Sequence, residues 1–322
     1  MLLAAVGLIS GVIGIYAYLF PPKPDTSTHL VEGQRTRLLV SPTSNPLSGR
    51  HFVRADEIVL DGVLLEPPDG SVYLCNILKM VHGAKIRARQ FAIISTRLEG
   101  GVIDASGRDG AGGRRSDVDV PPEPGEGGGG VLIATASLTN FVVSVKGGDG
   151  GIGADGRPRP NASDGRNGRD GDCGGFGAYK GATPGEDGSA GFPAEDGQAG
   201  GNGGNGGTLV LITVVPIGPG VGMFGGGAGG IGGRIGPPGK GGLGGKGGAG
   251  CTGLGGSQPT QPNGNPGVDG AFGRNGNAGR RGADGNVTSR VMKFAEVKKI
   301  VRAHDGDPEA VVAALKDLAA KP

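Results

Sequence analysis

The chain contains 322 residues, of which 73 are glycine, nine are phenylalanine and none is tryptophan. This composition excludes an ordinary globular enzyme with an aromatic-rich core, although short apolar runs still allow a modest core. The 32 basic and 30 acidic residues nearly balance, so no overall basic field exists that would recruit nucleic acid. Cys75, Cys173 and Cys251 are widely separated and odd in number, which favours unpaired cysteines over a disulfide framework or a zinc site.

The first region, residues 1–22, is predicted to be a membrane-anchor helix. Residues 2–20 carry no charge, and at 1.5 Å per residue they would span about 28 Å, enough for a bilayer core. A cleaved signal peptide would have a basic start and a small-residue cleavage site, which are missing, and a buried soluble helix is the remaining alternative. The sequence therefore predicts a single-pass membrane protein that contacts the membrane through residues 2–20 and has an extracytoplasmic body.

The next two regions are predicted to be a linker and a set of β-strands. Residues 23–50 are rich in Pro, Ser and Thr, which is typical of a linker, with one strand-like patch at 36–40. Residues 51–146 contain short apolar runs separated by polar corners and glycine turns, the pattern of a parallel β-helix. A weak internal repeat matches 52–60 with 85–93. A small antiparallel sandwich is the alternative.

Residues 147–285 have glycine at every third position over long runs, with one embedded strand at 207–215. Collagen requires long unbroken triplets rich in proline, but the register breaks several times, and the uninterrupted run 267–285 contains no proline. The other structure with this period is a bundle of polyproline-II helices, in which glycine lets neighbouring backbones pair. On this interpretation 241–250, with two glycines in most triplets, is enclosed by neighbours, whereas 267–285 is peripheral. A disordered linker is the competing interpretation, because ordering glycine costs the most backbone entropy.

The stretch GGVIDASGRDGAGG at 100–113, followed by 127–156, resembles glycine-rich surface proteins that combine β-helix coils with long glycine-triplet excursions. The triplet design is also similar to that of glycine-rich antifreeze proteins and glycine-rich phage tail-tip adhesins. The resemblance implies architecture more strongly than activity. In the adhesins it implies a glycine-rich sandwich whose loops bind a receptor. If that function applies here, 157–164 and 257–266, both interpreted as turns, are the candidate contacts for a cell-surface polymer or a protein ligand.

The last region, residues 286–322, is predicted to be helical. Apolar residues recur at helical spacing in 287–304, and a second helix is expected at 309–320, with Asp307 as its N-cap and Pro308 as its first residue. We expect the two helices to cap the open end of the body. Docking of a partner protein is the alternative.

Motifs for chemistry are weak throughout the sequence. No catalytic or cofactor-binding residue is predicted, and no cofactor is expected. GGIGADG at 150–156 matches the start of a calcium-binding nonapeptide, which makes Asp155 a weak calcium candidate, but no tandem copies follow. Asp-Gly pairs recur and are interpreted as turns. A polysaccharide-acting β-helix enzyme would need clustered carboxylates or Arg/Lys side chains on one strand face, and the stretch GVIDASGRD offers only Asp104, Arg108 and Asp109.

Together these features predict a mainly β fold class: parallel β-helix-like strands, a glycine-rich polyproline-II bundle, an N-terminal transmembrane helix and short C-terminal helices. The predicted function is that of a membrane-anchored, non-catalytic structural or adhesive protein, with an oligomer as an open possibility. The alternatives are the β-helix enzyme and a collagen-like trimeric stalk.

Overall fold

The computed structural model describes residues 37–116, 119–174, 179–215, 222–253, 256–304 and 307–320. Within them the long strands are β1 (Arg37–Val40), β2 (Phe52–Asp61), β4 (Ser71–Val81), β6 (Gln90–Glu99), β8 (Gly130–Thr139), β12 (Thr208–Thr213) and β16 (Asn286–Val291). The short strands are β3 (Leu64–Leu65), β5 (Lys85–Arg87), β7 (Val102–Asp104), β9 (Val142–Ser144), β10 (Asp172–Cys173), β11 (Tyr179–Lys180), β13 (Gly222–Met223), β14 (Cys251–Gly253) and β15 (Gly256–Gln258). The helices are α1 (Phe294–Ala303) and α2 (Pro308–Ala320).

The long strands form one seven-stranded parallel sheet in the order β1-β2-β4-β6-β8-β12-β16. The first strands follow one another at a spacing of 20 residues, because Phe52 pairs with Val72 and Asn76 bonds to Asp56 across the same pair of strands. The weak repeat that matched 52–60 with 85–93 is therefore wrong as a structural register. It aligned β2 with β5, which lies in the other sheet.

The short strands form a second parallel sheet, in the order β13-β9-β7-β5-β3. Each coil of the chain thus places one long strand in the first sheet and one short strand in the second. Buried side chains at equal register stack between the two sheets, and they form the main core. One such row is Val53, Tyr73, Ile93, Ile133 and Leu211 from the long strands, and the facing row is Leu65, Ile86, Ile103 and Val143.

The C-terminal helices cover the outer face of the seven-stranded sheet rather than the open end of the body. Val297 of α1 and Leu315 of α2 are buried against sheet residues such as Ile94 and Ile212, which form a second apolar cluster. The helix predicted from residue 287 is wrong at its start, because Asn286–Val291 pairs in register with β12 and helix begins only at Phe294. The predicted cap is correct: Asp307 Oδ1 accepts hydrogen bonds from the backbone N–H groups of Glu309 and Ala310.

Three glycine-rich hairpins leave the coils between a short strand and the next long strand. Each hairpin contains two extended segments, which we number in chain order. The segments are I (105–113), II (121–129), III (145–171), IV (182–207), V (224–250) and VI (259–285). The pairing offset between successive long strands therefore rises from 20 residues to 40 and then to 78, as the pairs Phe52–Val72, Gln90–Gly130 and Gly130–Thr208 show. Glycine-rich packing begins at residue 105, inside the range where the sequence predicted only strands.

The six segments form two layers, I-III-V and II-IV-VI. Neighbours within a layer run in the same direction, as shown by the bonds from Gly150 to Ala228 and from Gly153 to Ile231. Neighbours between layers run in opposite directions, as shown by the bonds from Gly230 to Gly201 and from Gly233 to Gln198. The bonds recur every three residues, the period of polyproline II. This arrangement differs from collagen, because these segments pair within one chain and five of the nine neighbouring pairs are antiparallel.

The structure corrects the predicted fold class and the predicted localisation. The mainly β assignment with parallel strands fits the two sheets, but the described residues do not contain the predicted transmembrane helix. No helix in the described part of the chain is both long and apolar enough to cross a bilayer. Residues 2–20, on which the membrane contact and the extracytoplasmic placement depended, lie outside the described residues.

Candidate functional site

The glycine pattern of segment V determines which of its side chains reach the surface. The first glycine of each triplet faces segment VI, since a Cβ on Gly241 would lie 2.1 Å from the carbonyl oxygen of Gly267. The second faces segment III, since a Cβ on Gly242 would lie 2.0 Å from the carbonyl oxygen of Ser163. A glycine at either position leaves no room for a side chain, so in these triplets only the third residue, such as Lys240, projects outward. Ile235 and Pro238 take the first position in two triplets.

The third positions of segment V therefore form one exposed row, which we call the segment V row. Its members are Ala228, Ile231, Arg234, Pro237, Lys240, Leu243, Lys246 and Ala249. Three are cations and none is an acid. The two large apolar members, Ile231 and Leu243, are 70% and 69% exposed. The sequence prediction missed this row, although cations at every second triplet of a glycine-glycine-x run were a visible signal.

Asp and Asn side chains hold the segments in register. Asp149 Oδ1 accepts the backbone N–H of Ala228 at 2.8 Å, and Asn202 Oδ1 accepts that of Arg280 at 2.9 Å. The residues that make such a bond to a neighbouring segment are Asp109, Asp149, Asp155, Asn161, Asp164, Asn167, Asp170, Asp187, Asp196, Asn202, Asn205, Asn263, Asp269, Asn275 and Asp284. All but Asn161 directly precede a glycine. Within the glycine-rich segments the Asp-Gly pairs thus make inter-segment bonds, and their interpretation as turns was wrong there, whereas Asp69-Gly70 does lie in a turn.

These bonds change the electrostatics of the carboxylates that make them. The hydrogen bond from the Ala228 backbone N–H lowers the pKa of Asp149, because it stabilises the ionised form, and Lys146 adds to the effect. Asp155, the calcium candidate, accepts the backbone N–H of Arg234 at 2.7 Å. Among the residues that the structure describes, no group of three or more His, Cys, Asp or Glu side chains could hold a metal ion.

The stretch 157–164 lies along segment III and is not the turn that was predicted. The Ala162 backbone N–H donates to the carbonyl of Lys240, which continues the pairing with segment V. At its start, Arg157 joins an ion-pair network with Glu195 and Asp119, and Arg115 contacts the same two carboxylates at 2.9 and 2.6 Å. The hydrogen bond from Arg157 keeps the pKa of Glu195 below its usual range. This network fastens the end of the first hairpin to segments III and IV.

The stretch 257–266 is not the turn that was predicted, because it begins in β15 and continues into segment VI. Strands β14 and β15 form the distal hairpin after segment V, and from Gln261 onward the backbone bonds to segment V. A disulfide joins Cys173 and Cys251 at this distal end, with their Cα atoms 5.7 Å apart. The expectation of unpaired cysteines is therefore wrong for this pair, while Cys75 is a free, buried thiol in β4.

The residues considered for an enzyme make hydrogen bonds within the coils and between segments. Asp104 Oδ1 accepts the backbone N–H of Ser106 at 3.1 Å, and Asp109 Oδ1 accepts that of Asp149 at 2.8 Å. The backbone carbonyl of Arg108 accepts the N–H of Glu126. The sequence matches no known protein-family model and no curated protein. The site must therefore be interpreted from its geometry alone.

Proposed function

We propose that the chain is a non-catalytic structural or adhesive protein that presents side chains on a scaffold of paired glycine-rich segments. One observation carries this proposal: the segment V row exposes Arg234, Lys240 and Lys246 at equal spacing, with no acidic residue among them. Six residues at the polyproline-II rise of about 3.1 Å separate successive cations by about 19 Å. Such a row suits a ligand that repeats its own charges.

The ligand class that this chemistry favours is an anionic polymer, such as an acidic polysaccharide. Each exposed ion pair with a polymer carboxylate is weak, about 0–1 kcal/mol. Several sites on one rigid row bind the same polymer together, and their effective concentration raises the total affinity. The exposed carboxylates of Asp155 and Asp164 on segment III bond to the backbone N–H groups of Arg234 and Leu243, so their charge opposes an anionic polymer along that edge of the row and the three cations must outweigh it.

The test is binding of the purified protein to polygalacturonate, with neutral dextran as the comparison polymer, measured by biolayer interferometry at several salt concentrations. We expect binding to polygalacturonate only, weakening as salt rises. The triple change Arg234→Ser, Lys240→Ser and Lys246→Ser should abolish it. The matched control, Arg274→Ser with Arg280→Ser and Arg281→Ser, removes equal charge from segment VI and should retain most binding.

Two outcomes would contradict the proposal. Equal loss of binding in the two triple variants would show that total charge matters and the row does not. Turnover of the polysaccharide that disappears in Asp104→Ala would support the alternative of a β-helix enzyme.

A further inference from the structure

A cavity of about 680 Å³ lies between α2 and the outer face of the seven-stranded sheet. Its walls are mainly apolar, whereas the segment V row carries three cations. Val72, Ala92, Leu132 and Val210 line it from neighbouring strands, near the strand ends where the glycine-rich hairpins join the sheet. Its volume falls within the range of about 300–1,000 Å³ that is usual for small-ligand sites.

Small residues keep this space open. Val312, Ala319 and Ala320 line the cavity from α2, and glycine backbone at 128–130 and 206–207 closes one end. The helix itself is anchored beside the cavity, since Leu315 and Val311 are buried in the apolar cluster over the sheet. The cavity therefore lies beside a well-packed contact. Contact between its apolar lining and a hydrocarbon chain would be favourable, because it removes apolar surface from water.

One cation of the wall belongs to the helix. Lys316 lines the cavity, and burial lowers the pKa of its amine because the charged form loses hydration there. Two further charged groups line the cavity: Arg89 pairs with Glu126 at 2.9 Å, and Asp69 Oδ1 accepts the backbone N–H groups of Arg89 and Gln90. A bound anion would offset the desolvation cost of the Lys316 ammonium group.

We propose that this cavity binds a small amphiphile with a linear hydrocarbon body and a terminal carboxylate, its carboxylate beside Lys316 and its hydrocarbon against the sheet. The inference concerns a different part of the molecule from the proposed adhesive function and does not depend on it. Medium-chain fatty acids are the simplest compounds with this chemistry.

The test uses the full chain and two probes of equal length, decanoate and 1-decanol, with affinities measured by isothermal titration calorimetry. We expect decanoate to bind at least tenfold more tightly than decanol. Lys316→Met keeps the apolar stem and removes the charge, so it should weaken decanoate at least tenfold and leave decanol unchanged. Lys316→Arg should retain decanoate binding, and Lys299→Met, an exposed lysine of α1 changed in the same way, should have no effect.

A second variant tests whether both probes bind in this cavity. Ala320→Phe adds a ring at the exposed end of the helix, where the fold is least at risk, and it should weaken both probes. The proposal is overturned if wild-type protein binds no decanoate at millimolar concentration. It is also overturned if Lys316→Met and Lys299→Met behave alike, or if decanol binds as tightly as decanoate.

Discussion

The β-coils and the glycine-rich segments of this chain follow one continuous coiled path, but they pack through different kinds of contact. In the coils of residues 37–104, Val53, Tyr73 and Ile93 stack side chain on side chain at equal register. In the glycine-rich segments, the carbonyl of Ser163 occupies the place where a side chain of Gly242 would begin. The first region is stabilised by buried apolar area and the second by close backbone contact and a regular set of hydrogen bonds. A chain can therefore extend a β-coil with segments in which backbone contacts take the place of the apolar side-chain core.

The largest effect is expected in the coils. Ile93→Ala removes a fully buried side chain from the stacked row and should lower the free energy of unfolding by about 2–5 kcal/mol. Phe272→Ala removes a larger side chain that is 80% exposed on segment VI, and it should change stability by less than about 0.5 kcal/mol. Urea denaturation of both variants checks the pair. Similar losses would contradict the claim that the glycine-rich segments have no side-chain core.

Loss of the distal disulfide should have the next largest effect on stability, because the disulfide closes a long loop between two hairpins. Its half-cystines are 78 residues apart, and loops of this length are stabilised by about 2–4 kcal/mol. The double change Cys173→Ser and Cys251→Ser should lower the melting temperature, and a reductant should lower that of the wild type to the same value. If the double variant and the reduced wild type melt at the same temperature as the oxidised wild type, the stabilising role of this disulfide is contradicted.

Glycine substitutions test backbone packing directly. A Cβ on Gly276 would lie 1.8 Å from the carbonyl oxygen of Gln198, whereas one on Gly112 would lie 3.5 Å from the nearest carbonyl, an ordinary contact. Gly276→Ala should therefore destabilise the protein by about 1–3 kcal/mol or more, and Gly276→Val further. Gly112→Ala should cost little, as should Arg281→Ala, whose side chain points outward. Thermal unfolding followed by circular dichroism distinguishes these variants.

The smallest expected effect is a dependence of the free energy of unfolding on pH. The pKa of Asp149 is lowered from its ordinary value of 3.8, so the native state holds this proton less tightly than the unfolded chain does. The stability from its bond to Ala228 is therefore fully present above about pH 4 and is lost as pH falls through the lowered pKa. Because the group is half-exposed, the change should be below about 1 kcal/mol.

Asp149→Asn is the informative variant for this bond. The asparagine oxygen can still accept the N–H of Ala228, as Asn161 and Asn167 accept their partners in the same segment. It should keep stability at pH 7 and reduce the loss at acidic pH. Asp149→Ala should lose stability at both. An Asp149→Asn protein with unchanged acid sensitivity would place the responsible carboxylates elsewhere.

Part of this structure could be predicted from the sequence, because it is determined by residues that are close together in the chain. Apolar runs indicated the strands, and Asp307 followed by Pro308 indicated the start of α2, because each signal lies within a few residues. Glycine density also indicated the number of neighbours: segment V contacts three segments and segment VI two. The row of cations on segment V follows from the same rule, once the outward position of each triplet is known.

The remaining features depend on contacts between distant residues. An Asp-Gly pair has the same local sequence in a turn and in a bond to a segment 79 residues away, so neighbouring residues cannot distinguish the two. Cys173 and Cys251 meet only because segments III and V have matching lengths. Strand β16 was mistaken for helix because its partner, β12, precedes it by 78 residues.

The fixed offsets of 78 and 79 residues restrict how such a chain can change length. Deleting one triplet from segment III alone would shift every later Asp and Asn of that segment by one step against segment V. It would also displace Cys173 from Cys251. The hairpins can therefore be shortened or extended only by whole triplets, made together in segments III, IV, V and VI. Gene segments encoding them should vary in length in concert, and a single-triplet deletion should be more harmful than a matched set of four.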